Sequence, residues 1–182
     1  MQKDYKKVSE SQVVISELML PSHSNFNGKI HGGYILSLLD QIAFACASKH
    51  SGAYCVTASV DTVDFLRPIE IGELVTMKAS VNYVGRSSMV IGIRVEAENI
   101  QTGETKHCNS SYFTMVAKNN KAESVEVPGL ILKDDNEIRR FAKSIKRKKM
   151  KKNRIQEFHE TDFSSERYLH LLEEHKVKIE KD

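Results

Sequence analysis

Between Pro21 and Pro128 a single stretch carries helical periodicity, which limits this chain to folds organised around one helix. Over residues 33–50, Ile35, Leu36, Leu39, Ile42, Ala43 and Cys46 recur at three- and four-residue steps, the spacing that lines one side of an α-helix. Gly32-Gly33 supplies a small, unhindered entry to it. Downstream the period changes to two. Val75, Met77, Ala79, Val81 and Tyr83 alternate with Thr76, Lys78, Ser80 and Asn82, and Met89 to Ala97 alternate with Val90 to Glu98 in the same way. Residues 53–65 and 108–116 are further β-rich runs, and 12–19 predicts a first strand. Turn formers fall between them at 70–72, 85–88 and 99–103. The expected order is strand, loop, helix, then four long strands. Strands in direct succession pair as antiparallel meanders, so the fold class is α+β, a long antiparallel sheet wrapped around one central helix.

Pro128-Gly129 closes the alternating region and predicts a domain over 1–130, followed by a charged, helical or disordered extension over 131–182. Charge separates at the same place. The net charge of +3 hides a slightly acidic stretch to residue 132, with 12 Lys/Arg against 13 Asp/Glu, and a basic remainder with 15 against 11. That balance is too mild for a dedicated nucleic-acid binder. The polar start, residues 1–7, predicts no secretory leader. The most apolar run, 35–47, is interrupted by Asp40 and Gln41 and is shorter than the roughly 20 residues a bilayer requires. Three cysteines without CxxC spacing read as reduced packing thiols in a cytoplasmic protein, and no P-loop, GxGxxG or metal-ligand spacing occurs. No cofactor and no metal are expected.

Asp40 is the residue that needs an explanation. On a helix its neighbours are Leu36, Ser37, Ala43 and Phe44, a largely apolar surface on which an ionised carboxylate is costly unless paired or solvated. A place at the edge of that surface, or a cap on neighbouring backbone, would account for it structurally. The loop upstream favours chemistry: residues 25–33, NFNGKIHGG, set amide side chains and glycines at a helix N-terminus. Free N–H groups there can stabilise an oxyanion, and glycine lets a carbonyl approach the backbone. Asn27 reads more simply as loop structure.

The run from Leu20 to Gly33, the Leu38-Leu39-Asp40 step, Val56-Thr57-Ala58-Ser59-Val60-Asp61, Asp64-Phe65-Leu66-Arg67-Pro68, Gly85-Arg86-Ser87-Ser88 and Tyr112-Phe113-Thr114 together resemble the hotdog-fold acyl-CoA thioesterases, the broad-range bacterial and brain-type branch above all. The resemblance spans roughly residues 10 to 130. It implies a sheet wrapped around a helix, dimers with a continuous sheet, and hexamers formed as trimers of dimers. It implies hydrolysis of acyl-CoA to free CoA and a carboxylic acid, with coenzyme A present only as part of substrate and product. Matched position by position, Asn25 and Asp40 take the catalytic places, contributed by different subunits. The amide of Gly33, or of Gly32, bonds the thioester carbonyl. Asp40 acts as general base or as nucleophile, and Asn25 positions the water or the carboxylate. His31 lines the site. Arg86, Ser87 and Ser88 form the turn that meets the CoA nucleotide, where an arginine fork suits phosphate. Arg67 either pairs with an acid near the dimer seam or touches CoA.

Two rivals remain at this stage: a non-catalytic acyl-CoA-binding regulator with a partner-binding basic tail, and a hotdog dehydratase. The Asn25/Asp40 pair argues against the second, which uses a histidine with a carboxylate. The tail holds seven basic residues in the nine positions 146–154. It reads first as a solvated helix or disordered segment, then as a surface for anionic membrane or acyl-CoA, then for nucleic acid.

Overall fold

A computed structural model describes residues 4–164, 169, 172 and 174–180. Its main sheet contains β2 (Val13–Leu18), β3 (Tyr54–Val60), β4 (Glu73–Val84), β5 (Ser88–Asn99) and β6 (Thr105–Lys118), in the spatial order β2-β4-β5-β6-β3. Every neighbouring pair is antiparallel. The helix α1 (Gly32–Ser51) lies against the inner surface of this sheet and touches all five strands. A short parallel pair, β1 (Tyr5–Lys7) with β7 (Gly129–Ile131), brings the ends of the domain together. A long helix α2 (Asp135–Glu160) follows. The α+β fold with one wrapped helix is the expected one.

Alternation explains the core. Val75, Met77 and Val81 on β4, Met89, Ile91 and Val95 on β5, and Phe113 and Met115 on β6 are all buried, against Ile35, Leu39, Ile42 and Cys46 on α1. Each such side chain removed from water contributes about 1.5–3 kcal/mol. The helix ends where sequence dictates: Gly52 takes the left-handed conformation at φ 69° and returns its N–H to the carbonyl of Ser48 at 2.8 Å. On the outer surface Gly92 has a different reason. A Cβ there would sit 2.0 Å from Nδ2 of Asn82, which is buried at a bulge in β4 and accepts the hydroxyl of Ser80 at 3.1 Å.

Two expectations need correction. The strand predicted over 53–65 stops at Val60; residues 61–68 leave the sheet as an irregular strap, although their alternating apolar residues read as strand. The meander is not continuous, because β3 pairs with β6 rather than with β4. Between β3 and β4 the chain crosses from the β3 edge to an interior position between β2 and β5, which strand periodicity cannot reveal. The basic run 146–154, read as helical or disordered, is helical within α2. The chain forms two compact units, 1–144 and 145–182. The first unit takes in the start of α2, where Phe141 packs on Tyr83 with ring centroids 5.1 Å apart and Ser144 is buried.

The three cysteines are free and buried, and burial pushes the Cys46 thiol up to about 12. His50, 0% exposed at the end of α1, ties the domain ends. Its Nε2 donates to the carbonyl of Pro128 at 2.9 Å and its Nδ1 faces the Ser11 hydroxyl at 3.3 Å. Burial lowers its pKa from the ordinary 6.5, and the Pro128 bond opposes that shift. The unfolded chain therefore takes up a proton that the folded chain resists, so stability is complete above about pH 6.5 and falls as pH drops below it. Urea unfolding at pH 8 and pH 5.5 is expected to show this loss in the wild type and a smaller loss in His50→Gln. Equal pH dependence in both would remove His50 as its source.

Candidate functional site

Asp40 lies outside the buried apolar stripe of α1, beside exposed Leu36 and Phe44. The core stripe of α1 runs through Ile35, Leu39, Ile42 and Cys46, and Asp40 stands one position beyond it, exposed together with Leu36, Ser37 and Phe44. Of its helical neighbours only Ala43 is buried. Among the described residues no cation pairs with the exposed carboxylate, and one neutral group holds it: Thr57 on β3 donates its hydroxyl to Oδ1 at 2.5 Å. Thr57 also lies 3.4 Å from the sulfur of buried Met115. The next residue, Ala58, is a bulge, since the pairing with β6 passes from Thr57 to Ser59. Bulges re-aim side chains beside sites, and this one keeps Thr57 on the inner surface facing α1. Asp40 and Thr57 border a groove of about 600 Å³ whose other walls include Ile15, Phe44, Tyr54 and Val56. Sequence reasoning included Thr57 in a motif without a role; only the pairing of β3 along the sheet edge beside α1 reveals its partner.

The loop before α1 is built by its own side chains. Oδ1 of Asn25 accepts the N–H groups of Asn27 at 2.9 Å and Lys29 at 3.2 Å, so the Asn25 amide is oriented with Nδ2 left to donate elsewhere. Asn27 serves this turn. Phe26, fully exposed, stands at its tip. The loop is tied down by Ile30 N–H to the carbonyl of Ile69 at 2.9 Å and by Lys29 with Glu70 at 2.6 Å. His31 N–H bonds the carbonyl of His23 at 2.9 Å. His23 stacks on Tyr34, centroids 4.0 Å apart, and the Tyr34 hydroxyl donates to Glu17. That bond pushes the Tyr34 phenol up to about 12.

His31 caps the helix. Its Nδ1 accepts the N–H of Gly33 at 2.9 Å, whereas the N–H of Gly32 has no hydrogen-bond partner among the described residues. The two glycines are thus unequal as oxyanion donors. Elsewhere, Arg86 projects exposed from the β4–β5 turn, which is closed by Gly85 N–H to the carbonyl of Ser88 at 2.7 Å and fixed to β6 through Ser87. Arg67 is exposed on the strap. The structure brings together Asp40 with Thr57, and His31 with both glycines. It makes no hydrogen bond between Asn25 and Asp40 within one protomer. Among the described residues no group of three or more His, Cys, Asp or Glu side chains is placed to hold a metal ion, and no helix is long and apolar enough to cross a membrane.

A curled antiparallel sheet around one helix, open on the helix side that carries an aspartate, is the hotdog architecture. The thioesterase-superfamily model matches residues 27–104. Protein VdlD of Helicobacter pylori is 43% identical over 141 residues, 78% of this chain and 80% of the relative. The uncharacterized acyl-CoA thioester hydrolase YkhA of Bacillus subtilis is 34% identical over 145 residues, 80% and 84% of the two chains. An apo-hexameric acyl-CoA thioesterase superposes with a TM-score of 0.81 at 33% identity, over 85% of this chain and 98% of its own. The Staphylococcus aureus acyl-CoA hydrolase, solved with butyryl coenzyme A and coenzyme A, gives 0.78 at 31%, over 93% and 99%. This chain belongs to the hotdog-fold acyl-CoA thioesterases.

Because Asp40 and Thr57 are both exposed in the protomer, their bond contributes little to folding. Thr57→Val is expected to change the urea-unfolding free energy by less than about 1 kcal/mol. A loss above about twice that would give Thr57 a structural role instead.

Proposed function

We propose that the protein hydrolyses acyl-CoA thioesters to a carboxylate and free CoA at a site shared between two copies of the chain. One observation carries this reading: the Asp40 carboxylate stands exposed in a largely apolar groove, oriented by Thr57 and, among the described residues, free of any cation. A carboxylate so held has its lone pairs available for a proton or a carbonyl carbon. The Staphylococcus aureus enzyme offers independent support. Structures exist of its variants with alanine at an asparagine, an aspartate and a threonine, and those positions are separated by 15 and then 17 residues. Asn25, Asp40 and Thr57 stand at the same intervals.

In this mechanism the thioester carbonyl accepts the Gly32 N–H at the start of α1, with the Gly33 N–H joining if the His31 imidazole turns away. As general base, Asp40 takes a proton from water while the water oxygen bonds the carbonyl carbon. The tetrahedral oxyanion then collapses, the C–S bond breaks, and the thiolate recovers the proton. As nucleophile, Asp40 would instead bond the carbonyl carbon and expel the CoA thiolate, giving a mixed anhydride that water opens to two carboxylates, one released proton passing to the thiolate and the other to solvent. Asn25 of the second copy donates through Nδ2 to the water or the carboxylate. The exposed surface of α1 around Leu36 and Phe44 and the unpaired edge of β3 fit a second copy, since both would otherwise remain open to water. The hexameric relatives support a hexamer, which we assign as a trimer of dimers. Arg86 with Ser87 and Ser88, and Arg67, are assigned to the CoA phosphates. The compact catalytic domain is assigned to residues 1–130 and the charged extension to 131–182.

Release of free thiol from an acyl-CoA panel tests the reaction. Asp40→Ala and Asn25→Ala are each expected to lower kcat by 100-fold or more, on the order of other deletions of reacting or positioning groups. Thr57→Val is expected to lower it less, with folding intact. Unaltered turnover in Asp40→Ala would end this mechanism, and tight CoA binding without thiol release would favour a regulator. Single turnover in ¹⁸O-water separates the two routes, because only the anhydride route leaves label in the enzyme carboxylate.

A shared site makes a further demand. Asp40→Ala and Asn25→Ala protein, unfolded and refolded together, should recover about a quarter of wild-type activity, since half the dimers are mixed and each mixed dimer has one intact site. No recovery would place both residues in one chain. Arg86→Ala is expected to raise KM several-fold with kcat little changed, the signature of a lost phosphate contact.

A further inference from the structure

The strap after β3 is fixed too firmly for a connecting loop, and one of its side chains lies on the start of α1. Three bonds hold it to β6: Asp61 N–H to the carbonyl of Tyr112 at 3.0 Å, Leu66 N–H to that of Cys108 at 2.9 Å, and Nδ2 of Asn109 to the carbonyl of Asp64 at 2.8 Å. Its far end is fixed to the loop before α1 by the Ile69 and Glu70 contacts with Ile30 and Lys29. Glu73 secures that end, accepting the N–H of Glu70 at 2.8 Å and pairing with Lys106 at 2.8 Å. Phe65 lies between the two anchorages. Its ring atoms come 3.5 Å from the point a Cβ on residue 32 would occupy, so the ring rests on Gly32, the residue whose N–H has no partner.

Asn109 is the unusual member of this set. It is 0% exposed, on the inner surface of β6, where Val95 opposes it and Cys108 is the bulged residue. An amide on a core-facing strand position is costly unless every polar atom finds a partner. Here Nδ2 donates to Asp64 and Oδ1 accepts the hydroxyl of Ser111, itself buried. An apolar residue would fill the space but could not hold the Asp64 carbonyl, which belongs to the peptide bond leading into Phe65.

We propose that Phe65 is the wall that keeps water from the Gly32 amide, and that Asn109 is the positioning residue that sets it there. This rests on the thioesterase reading above. An N–H aimed at a developing oxyanion stabilises it more when water is excluded, because the local dielectric falls and no solvent competes for the donor. The benefit appears as negative charge grows on the carbonyl oxygen, so it belongs to kcat rather than to substrate affinity. It is independent of acyl length, because the ring covers the carbonyl end of the substrate.

The test compares the wild type with Phe65→Ala, Phe65→Leu and Asn109→Ser on acetyl-CoA and on a long-chain acyl-CoA, with thermal melts to establish that each variant is folded. Phe65→Ala is expected to lower kcat roughly tenfold on both substrates with KM within about twofold, the order of one weakened oxyanion contact. Phe65→Leu, which restores bulk, should recover most of that loss, and Asn109→Ser should shift kcat in the same direction without raising KM. A kcat for Phe65→Ala within twofold of wild type, a change confined to KM, or a loss only on the long substrate would overturn the role of Phe65. An unchanged kcat in Asn109→Ser would remove Asn109 from it. Asp40→Ala runs in parallel. If it retains full turnover, the underlying reading has failed; if it is inactive while Phe65→Ala is normal, only this inference has.

Discussion

The geometry depends on one helix being enclosed by one sheet. α1 touches all five strands of the main sheet, which is possible only because a long antiparallel sheet twists and coils around it. Such an enclosure is never complete. The edges β2 and β3 do not meet, and the strip of helix between them, carrying Leu36, Asp40 and Phe44, stays outside the protomer's core. Burying one side of the helix and leaving the other open is what puts a carboxylate beside apolar surface without the desolvation that full burial would impose.

Around that apolar centre, polar contacts fix the loops. Asn25 shapes the segment before α1, His31 caps the helix, Glu73 with Lys106 holds the strap at one end, and Asn109 holds its middle. At buried Glu73 and Asn109 a polar atom would be left unsatisfied if its partner moved, so these contacts define single positions where hydrophobic packing alone allows sliding. The backbone around the start of α1 is thereby fixed from three directions: the preceding loop, the strap and the sheet.

Period and punctuation made much of this legible in the sequence. The helix over 33–50 and the strands around 75–83, 89–97 and 108–116 were visible because each has one buried surface and one open one. The early end of β3 was not, because Val63 and Phe65 alternate with Thr62 and Asp64 as a strand would, while the backbone of Asp61 and Leu66 bonds to β6 along an irregular path. Strand order was hidden for a related reason: β3 and β4 are consecutive in sequence yet lie at different places in the sheet. Asp40 was conspicuous as a charge within a helical pattern, the amides and glycines before it as a helix N-terminus, and only the specific role of Asn25 came from resemblance. Thr57 escaped because its significance lies in what it faces, and the split between Gly32 and Gly33 follows from where an imidazole points. The only trace of the Asn109 tie was a run of polar residues, Asn109-Ser110-Ser111, inside a strand.

The Asn82–Gly92 contact on the outer sheet has a consequence for how such a sequence can change. Position 92 cannot gain a side chain while Asn82 keeps its place, since the two would occupy the same volume. Position 82 can shrink at any time, at the expense of its bond with Ser80. A side chain at 92 therefore requires that Asn82 move or shrink, so the two positions are expected to vary as a coupled pair rather than independently.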